Sequence, residues 1–266
     1  MKIAIIGTGN LGRSIAKGLI DTNAITSLYL TKRNTADLQE FADFKGVHIT
    51  SDNEKAISNS DIIIYAVQPA HLKDILEQSV HLLHDNHVFI STVTGFTLQG
   101  LEEALGADRY IIRAMPNTAI AVGKSMTCLC GSEQGKQRIK VAQAIFNRLG
   151  ATLVIPEEQM QAATVVCASG VAFWMRLIRA STQAAIQLGF DAKEAQMLAM
   201  HTAEGAANLL IHTGNHPEEE IDKVTTPKGC TIEGLNEMEH KGLSSSLIQG
   251  MIASFQKINN IKERQI

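Results

Sequence analysis

The stretch that most restricts what this chain can fold into is Ile3-Ala4-Ile5-Ile6, followed at once by Gly7-Thr8-Gly9-Asn10-Leu11-Gly12. A short unbroken apolar run suits a strand buried on both faces. The glycines then impose a tight turn, after which Ile15, Leu19 and Ile20 recur at helical spacing. A second apolar run ends in Thr31-Lys32-Arg33-Asn34. Strand, glycine turn, helix and strand make a βαβ unit whose helix N-terminus receives the pyrophosphate of a dinucleotide. Gly7 permits the turn, Gly9 lets backbone approach phosphate, and Gly12 lets helix and strand pack closely. Thr8, Asn10 and Leu11 belong to the same loop.

The alternation continues. Val47-His48-Ile49, Asp61 to Val67, Val88 to Val93, Tyr110 to Met115, Ser125 to Cys130 and Thr152 to Ile155 read as strands. Helices are expected at 70–83, at Leu98 to Leu105 and from about Glu133 to Leu149. This predicts an α/β fold with a doubly wound, mostly parallel, Rossmann-like sheet over residues 1–156. Near Pro156 the character changes, and 157–167, 171–188, 192–212, 231–241 and 243–260 all read as helices. Residues 157–266 are therefore expected to form an all-helical domain. Ala195 to Leu210 is apolar over much of its circumference, so it should be buried in a bundle or against a partner chain.

With 266 residues, 45% of them apolar, the chain can bury a sizeable core. A net charge of −3 gives no reason to expect nucleic acid or an anionic membrane as partner. No apolar run reads as transmembrane, and the N-terminus is too short before its first glycine for a signal peptide, which makes the cytoplasm the default. Cys128, Cys130, Cys167 and Cys230 form no C-x-x-C pair and read as small buried hydrophobes. His81, His84 and His87 have a spacing that can ligate metal, but they close a predicted helix, where the dipole favours histidine, and no fourth ligand is visible, so no metal is expected. Glu218-Glu219-Glu220 after His216-Pro217 suits a helix start.

Several segments can carry chemistry. The second strand ends without the acid that an NAD site places on the ribose hydroxyls. Arg33, helped by Lys32 and with Asn34 beside them, suits a 2′-phosphate, which favours NADPH and leaves NADH possible. Ala66-Val67-Gln68-Pro69 and Gly95 follow predicted strands at the end of the sheet where ligands bind. Arg113 to Thr118 delivers an arginine and then a Pro-fixed turn with Asn117 at another such end. In the helical half, Val224 to Thr231 is a hydroxyl-rich loop entering a helix near Thr231, a reasonable N-cap; free amides there bind carboxylates.

Taken together, Ile5 to Gly12, Ala66 to Pro69, Ile112 to Thr118, His216-Pro217 and Val224 to Thr231 with Gly234-Leu235 and Glu239 resemble the pyrroline-5-carboxylate reductases, over nearly the whole chain. The resemblance implies a sheet domain for NAD(P)H, a helical dimerisation domain in a homodimer or larger homo-oligomer, and reduction of 1-pyrroline-5-carboxylate to L-proline. It places the substrate between nicotinamide and the hydroxyl-rich loop. By matched position, Thr226, Gly229 and the amides near Cys230 and Thr231 hold the carboxylate. The Thr231 hydroxyl meets the imine nitrogen, and Asn53 lies near the adenine ribose. The loop departs from the family pattern at Lys228, where glycine is usual; a negative φ is harmless there, and a left-handed one strained. A same-fold reductase of another cyclic imine or small oxo acid, and a non-catalytic NADP(H)-binding regulator, are the alternative readings.

Overall fold

The computed structural model describes residues 1–22 and 25–263. Eight strands form one sheet: β1 (Lys2–Ile6), β2 (Ser27–Thr31), β3 (Val47–Thr50), β4 (Ile62–Tyr65), β5 (Val88–Ser91), β6 (Tyr110–Met115), β7 (Ser125–Gly131) and β8 (Gly150–Val154). Their spatial order is β3-β2-β1-β4-β5-β6-β7-β8. Every pairing is parallel except β6 with β7, so the expected mostly parallel sheet is present. The chain leaves β1 in both directions, to β2 and to β4. That reversal opens a crevice at their carboxyl ends.

The strand sequence explains the two-sided core. In β1, Ile3 and Ile5 pack on one face with Ile15 and Leu19 of α1 (Asn10–Asp21) and with Phe146 of α5 (Ile139–Phe146). Ala4 and Ile6 pack on the other, with Ile57 of α2 (Asn53–Ser58), Leu72 and Leu76 of α3 (Pro69–Ser79) and Leu101 of α4 (Leu98–Leu105). Alternate residues serve opposite faces. Each fully buried isoleucine contributes on the order of 2 kcal/mol.

Local chemistry sets the boundaries. β4 stops at Tyr65, short of the expected Val67, because Gln68 becomes the N-cap of α3 and Pro69 its first residue. Pro69 therefore starts a helix as well as ending a strand, its missing amide being one that no helix start can use. The helix expected from Glu133 begins late. A 3₁₀ turn, Gly135–Arg138, comes first, with the Gly135 amide donating to Ser132 Oγ (3.0 Å). The short α2 was not anticipated; Asp52 caps it, accepting from the Lys55 amide at 3.0 Å.

The chain divides into two compact units, Met1–Val171 joined by the segment from Phe255, and Ala172–Ser254. Leading out of the first, Glu157–Gln159 is a 3₁₀ turn, Met160–Ala163 is α6 and Thr164–Ser169 is a π-helical segment. Then follow α7 (Gly170–Gln187), α8 (Ala192–Thr213), α9 (Pro217–Lys223), α10 (Cys230–His240) and α11 (Leu243–Glu263). Within the continuous helical stretch Glu157–Gln187, one 18-residue window reaches a mean hydropathy of 1.4, long and apolar enough to cross a membrane by length and composition alone, where the sequence reading expected no such run. In the second unit the only buried described residues are Thr182, Ala195 and Ala199. The expected burial of Ala195 to Leu210 is thus not met within one chain: Met197, Met200 and Leu209 are exposed.

Candidate functional site

A cleft of about 730 Å³ opens at the carboxyl ends of β1, β2 and β4. The glycine loop forms its floor. Gly7 has φ 93, and a Cβ there would lie 2.4 Å from Val67 Cγ1. The Gly7 and Thr8 amides are tied to β2, donating to Thr31 Oγ1 (3.2 Å) and Thr31 O (2.8 Å). Gly9 faces open space, with nothing within 4 Å of where its Cβ would stand. It is the N-cap of α1 and offers no side-chain cap, and the first turn of α1 holds no acid. The first amides of α1, directly after the cleft-lining Gly9, are therefore not neutralised by any side chain of their own turn, as a phosphate requires. The Thr8 hydroxyl is buried without a partner. These features fit a dinucleotide pyrophosphate.

The cleft edge carries the charges. Lys32 is paired with Asp37 at 2.7 Å, and that contact holds the Asp37 carboxyl below its ordinary range. Asn34 accepts from the Ala36 amide at 3.2 Å and so caps a 3₁₀ helix. Arg33 is exposed and forms no ion pair among the described residues; its Nη2 makes a long contact to His71 Nε2, 3.5 Å away. Of the two cations, Arg33 is the one available to a phosphate.

Of the residues read as cofactor-binding, Gly7, Thr8, Gly9, Lys32, Arg33, Asn34, Asn53, Ala66, Val67 and Gln68 line this cleft. Asn10, Leu11, Gly12, Pro69, Gly95 and Asn117 do not. Gly12 acts in packing, since a Cβ there would fall 2.4 Å from Gly7 O. Asn117 is buried; its side chain donates to Cys167 O (3.0 Å) and accepts from the Ala119 amide (2.9 Å). Sequence reasoning missed the α3 wall of His71, Asp74, Ile75 and Gln78. Their spacing of three, four and seven places them on one helix face, which was the available signal.

Arg113 does not face the cleft. It is buried and paired with Glu157 at 2.7 Å, so the sequence reading of a ligand-facing arginine is corrected to a brace. Beside it, burial pushes the Cys130 thiol up to about 11, with the Arg113 charge opposing. Cys128 Sγ lies 3.8 Å from Cys167 Sγ. The hydrogen bond between them lowers the Cys167 thiol to about 7 and raises that of Cys128. His87 is buried against Ser60 O (2.9 Å), and the His84 and His87 rings stack at 3.5 Å.

In the helical unit, the segment between α9 and α10 is organised by hydrogen bonds of its own. The Thr225 hydroxyl donates to Ile221 O (2.8 Å), and the Gly229 amide donates to Thr226 O (2.9 Å). The Thr226 and Thr231 hydroxyls have no partner among the described residues, and Thr231 is half-buried. Thr231 is not the N-cap, as its sequence context suggested: Gly229 holds that position without a side-chain cap and Cys230 begins the helix. The Thr231 hydroxyl and the first amides of α10 are thereby left without a side-chain partner among the described residues. Lys228 takes the left-handed φ of 60, the strained option.

Comparison with known proteins covers both halves. Residues 157–261 match the family model described as pyrroline-5-carboxylate reductase dimerisation, and residues 2–95 match that described as NADP oxidoreductase coenzyme F420-dependent. The chain is 44% identical to pyrroline-5-carboxylate reductase 1 of Dictyostelium discoideum over 96% of its own length, spanning 49% of that relative. It is 42% identical to pyrroline-5-carboxylate reductase 2 of the same organism, covering 96% of this chain and 91% of the other. Among solved structures, a pyrroline-5-carboxylate reductase from Coxiella burnetii superposes with a TM-score of 0.89 at 29% identity, over 97% of both chains. The Plasmodium falciparum pyrroline carboxylate reductase, solved with NADP bound, shares the fold at a TM-score of 0.88 and 23% identity, over 98% of both chains.

Proposed function

The chain belongs to the pyrroline-5-carboxylate reductase family, and from that membership we propose that it reduces 1-pyrroline-5-carboxylate to L-proline with NADPH. The observation that carries this reading is the uncapped start of α10, where the unengaged Thr226 and Thr231 hydroxyls stand beside free helix amides. Such a start binds a carboxylate.

When bound, the reduced nicotinamide supplies a hydride to the imine carbon. The α1 amides beyond Gly9 hold the pyrophosphate, Arg33 holds the 2′-phosphate, and Asn53 lies toward the adenine ribose. Ala66, Val67 and Gln68 wall the far side of the cleft. In the helical unit, Thr226 and the amides of Cys230 and Thr231 fix the substrate carboxylate, and the Thr231 hydroxyl hydrogen-bonds the ring nitrogen. A protonated cyclic imine is already electrophilic, so these residues need only orient it and exclude water. No acid–base dyad is required. The exposed apolar side chains of α7 and α8, Trp174, Met175, Met197 and Leu209 among them, are covered in a homodimer. The four free thiols suit a reducing compartment such as the cytosol.

The test is NADPH oxidation on adding 1-pyrroline-5-carboxylate, with NADH in parallel. No turnover with either cofactor sinks the proposal and leaves a binding regulator or a different substrate. Thr231→Ala should lower kcat while the KM for NADPH holds. Light scattering of the purified chain should give the mass of a dimer or a multiple of it.

A further inference from the structure

The turn that leads into α10 carries a lysine where its geometry calls for glycine. The Gly229 amide closes it onto Thr226 O (2.9 Å), Pro227 sits second, and Lys228 sits third with φ 60. That is the pattern of a type II turn, whose third position needs positive φ and is ordinarily glycine. Every other positive-φ residue described in the chain is a glycine, so Lys228 alone bears the steric strain of a side chain in this region.

Among the described residues, no ion pair offsets that strain. Lys223 pairs with Glu220 at 2.6 Å and Lys241 with Glu237 at 3.5 Å, but Lys228 has no carboxylate partner among the described residues. Its side chain is exposed, one residue before the Gly229 N-cap of the 11-residue α10. Backbone strain of this kind persists where the strained residue serves a ligand. An unpaired lysine adjacent in the chain to uncapped helix amides adds positive charge to the end of the helix that already carries it.

We propose that Lys228 is a specificity-determining residue, its ammonium binding the substrate carboxylate together with the α10 amides and so favouring carboxylate-bearing cyclic imines over those without one. This rests on the assignment of residues 225–231 as the substrate loop. The pairing is an ion pair to a ligand at a partly exposed site, so its effect falls on substrate affinity rather than on the chemical step.

The experiment compares wild type, Lys228→Met, Lys228→Arg and Lys228→Gly with 1-pyrroline-5-carboxylate and with 1-pyrroline, which lacks the carboxylate, each as substrate and as competitive inhibitor. Lys228→Met should raise the KM for 1-pyrroline-5-carboxylate by about three- to tenfold, with kcat and the KM for NADPH nearly unchanged. Its behaviour toward 1-pyrroline should not change. Lys228→Arg should keep most of the wild-type KM. Lys228→Gly should match the Met variant kinetically yet melt at a higher temperature, since the strain is gone. An unchanged KM in the Met and Gly variants, equal losses with both imines, or an Arg variant as impaired as Met would overturn the proposal. Failure of the wild type to turn over 1-pyrroline-5-carboxylate would instead overturn the functional assignment itself, before any variant is compared.

Discussion

Arg113 Nη1 lies 2.7 Å from Glu157 Oε1, and the same oxygen accepts the Leu98 amide at 2.5 Å. One carboxylate thus ties β6 to the start of α4. Arg113 has a side-chain exposure of only 7%, so removing its partner strands a charge with little water to solvate it. Glu157→Ala should lower stability by about 2–3 kcal/mol, and Glu157→Gln, which keeps an acceptor, by clearly less. A urea midpoint unchanged in the Ala variant would show the pair to be effectively solvated.

Gly7 and Gly9 should fail in different ways. Gly7→Ala meets both a positive φ and Val67, and should cost about 1–3 kcal/mol of stability. Gly9 has an ordinary φ of −79 and room for a methyl group. Gly9→Ala should melt like the wild type while the KM for NADPH rises by about tenfold, as its methyl enters the space meant for phosphate. Thermal melts read beside cofactor titrations separate the two outcomes.

Arg33 and Lys32 differ in availability, and their substitutions should differ accordingly. Arg33→Ala should raise the KM for NADPH by about tenfold or more and leave that for NADH almost alone. Lys32→Ala should do less, because its ammonium already serves Asp37. Equal losses with both cofactors in Arg33→Ala would mean that the arginine does not read the 2′-phosphate.

Acid should destabilise the sheet unit through His87. Burial, then the neighbouring His84, lowers the pKa of His87 below its ordinary 6.5. The neutral ring is held by Ser60 O at 2.9 Å and by the His84 amide, which donates to Nδ1 at 3.2 Å. Below pH 6.5 the unfolded chain takes up a proton that the folded chain resists. The contribution is therefore complete above that value and is lost as pH falls from it toward the depressed folded value. The melting temperature should begin to drop as pH falls below 6.5. His87→Asn should flatten that drop; a parallel curve would assign it to other groups.

How much of this was legible in the sequence depended on the range of the interactions. The β1–α1 unit was readable because Ile3 to Ile6 and Ile15 to Leu19 each carry their period within a few residues. The short α2 was not, since six residues give too few turns for a period to emerge. Arg113 looked ligand-facing because a charge at a strand end usually is; its partner lies 44 residues on, and no local pattern reveals it. His71, Asp74, Ile75 and Gln78 were passed over because a mostly polar helix face reads as solvent-facing. The 225–231 loop stood out by its hydroxyl-rich composition, but Thr231 as a second helical residue, and Lys228 at positive φ, are backbone facts that composition does not encode.

The sparse interior of the helical unit has a thermodynamic consequence. With Thr182, Ala195 and Ala199 as its only buried described residues, Ala172–Ser254 keeps little of its apolar surface fully out of water against the entropy of ordering its helices. If the dimerisation domain matched here associates, part of this unit's stability should come from association and obey mass action. Dilution alone should loosen these helices, and their melting point should climb with protein concentration while that of the sheet unit stays nearly fixed.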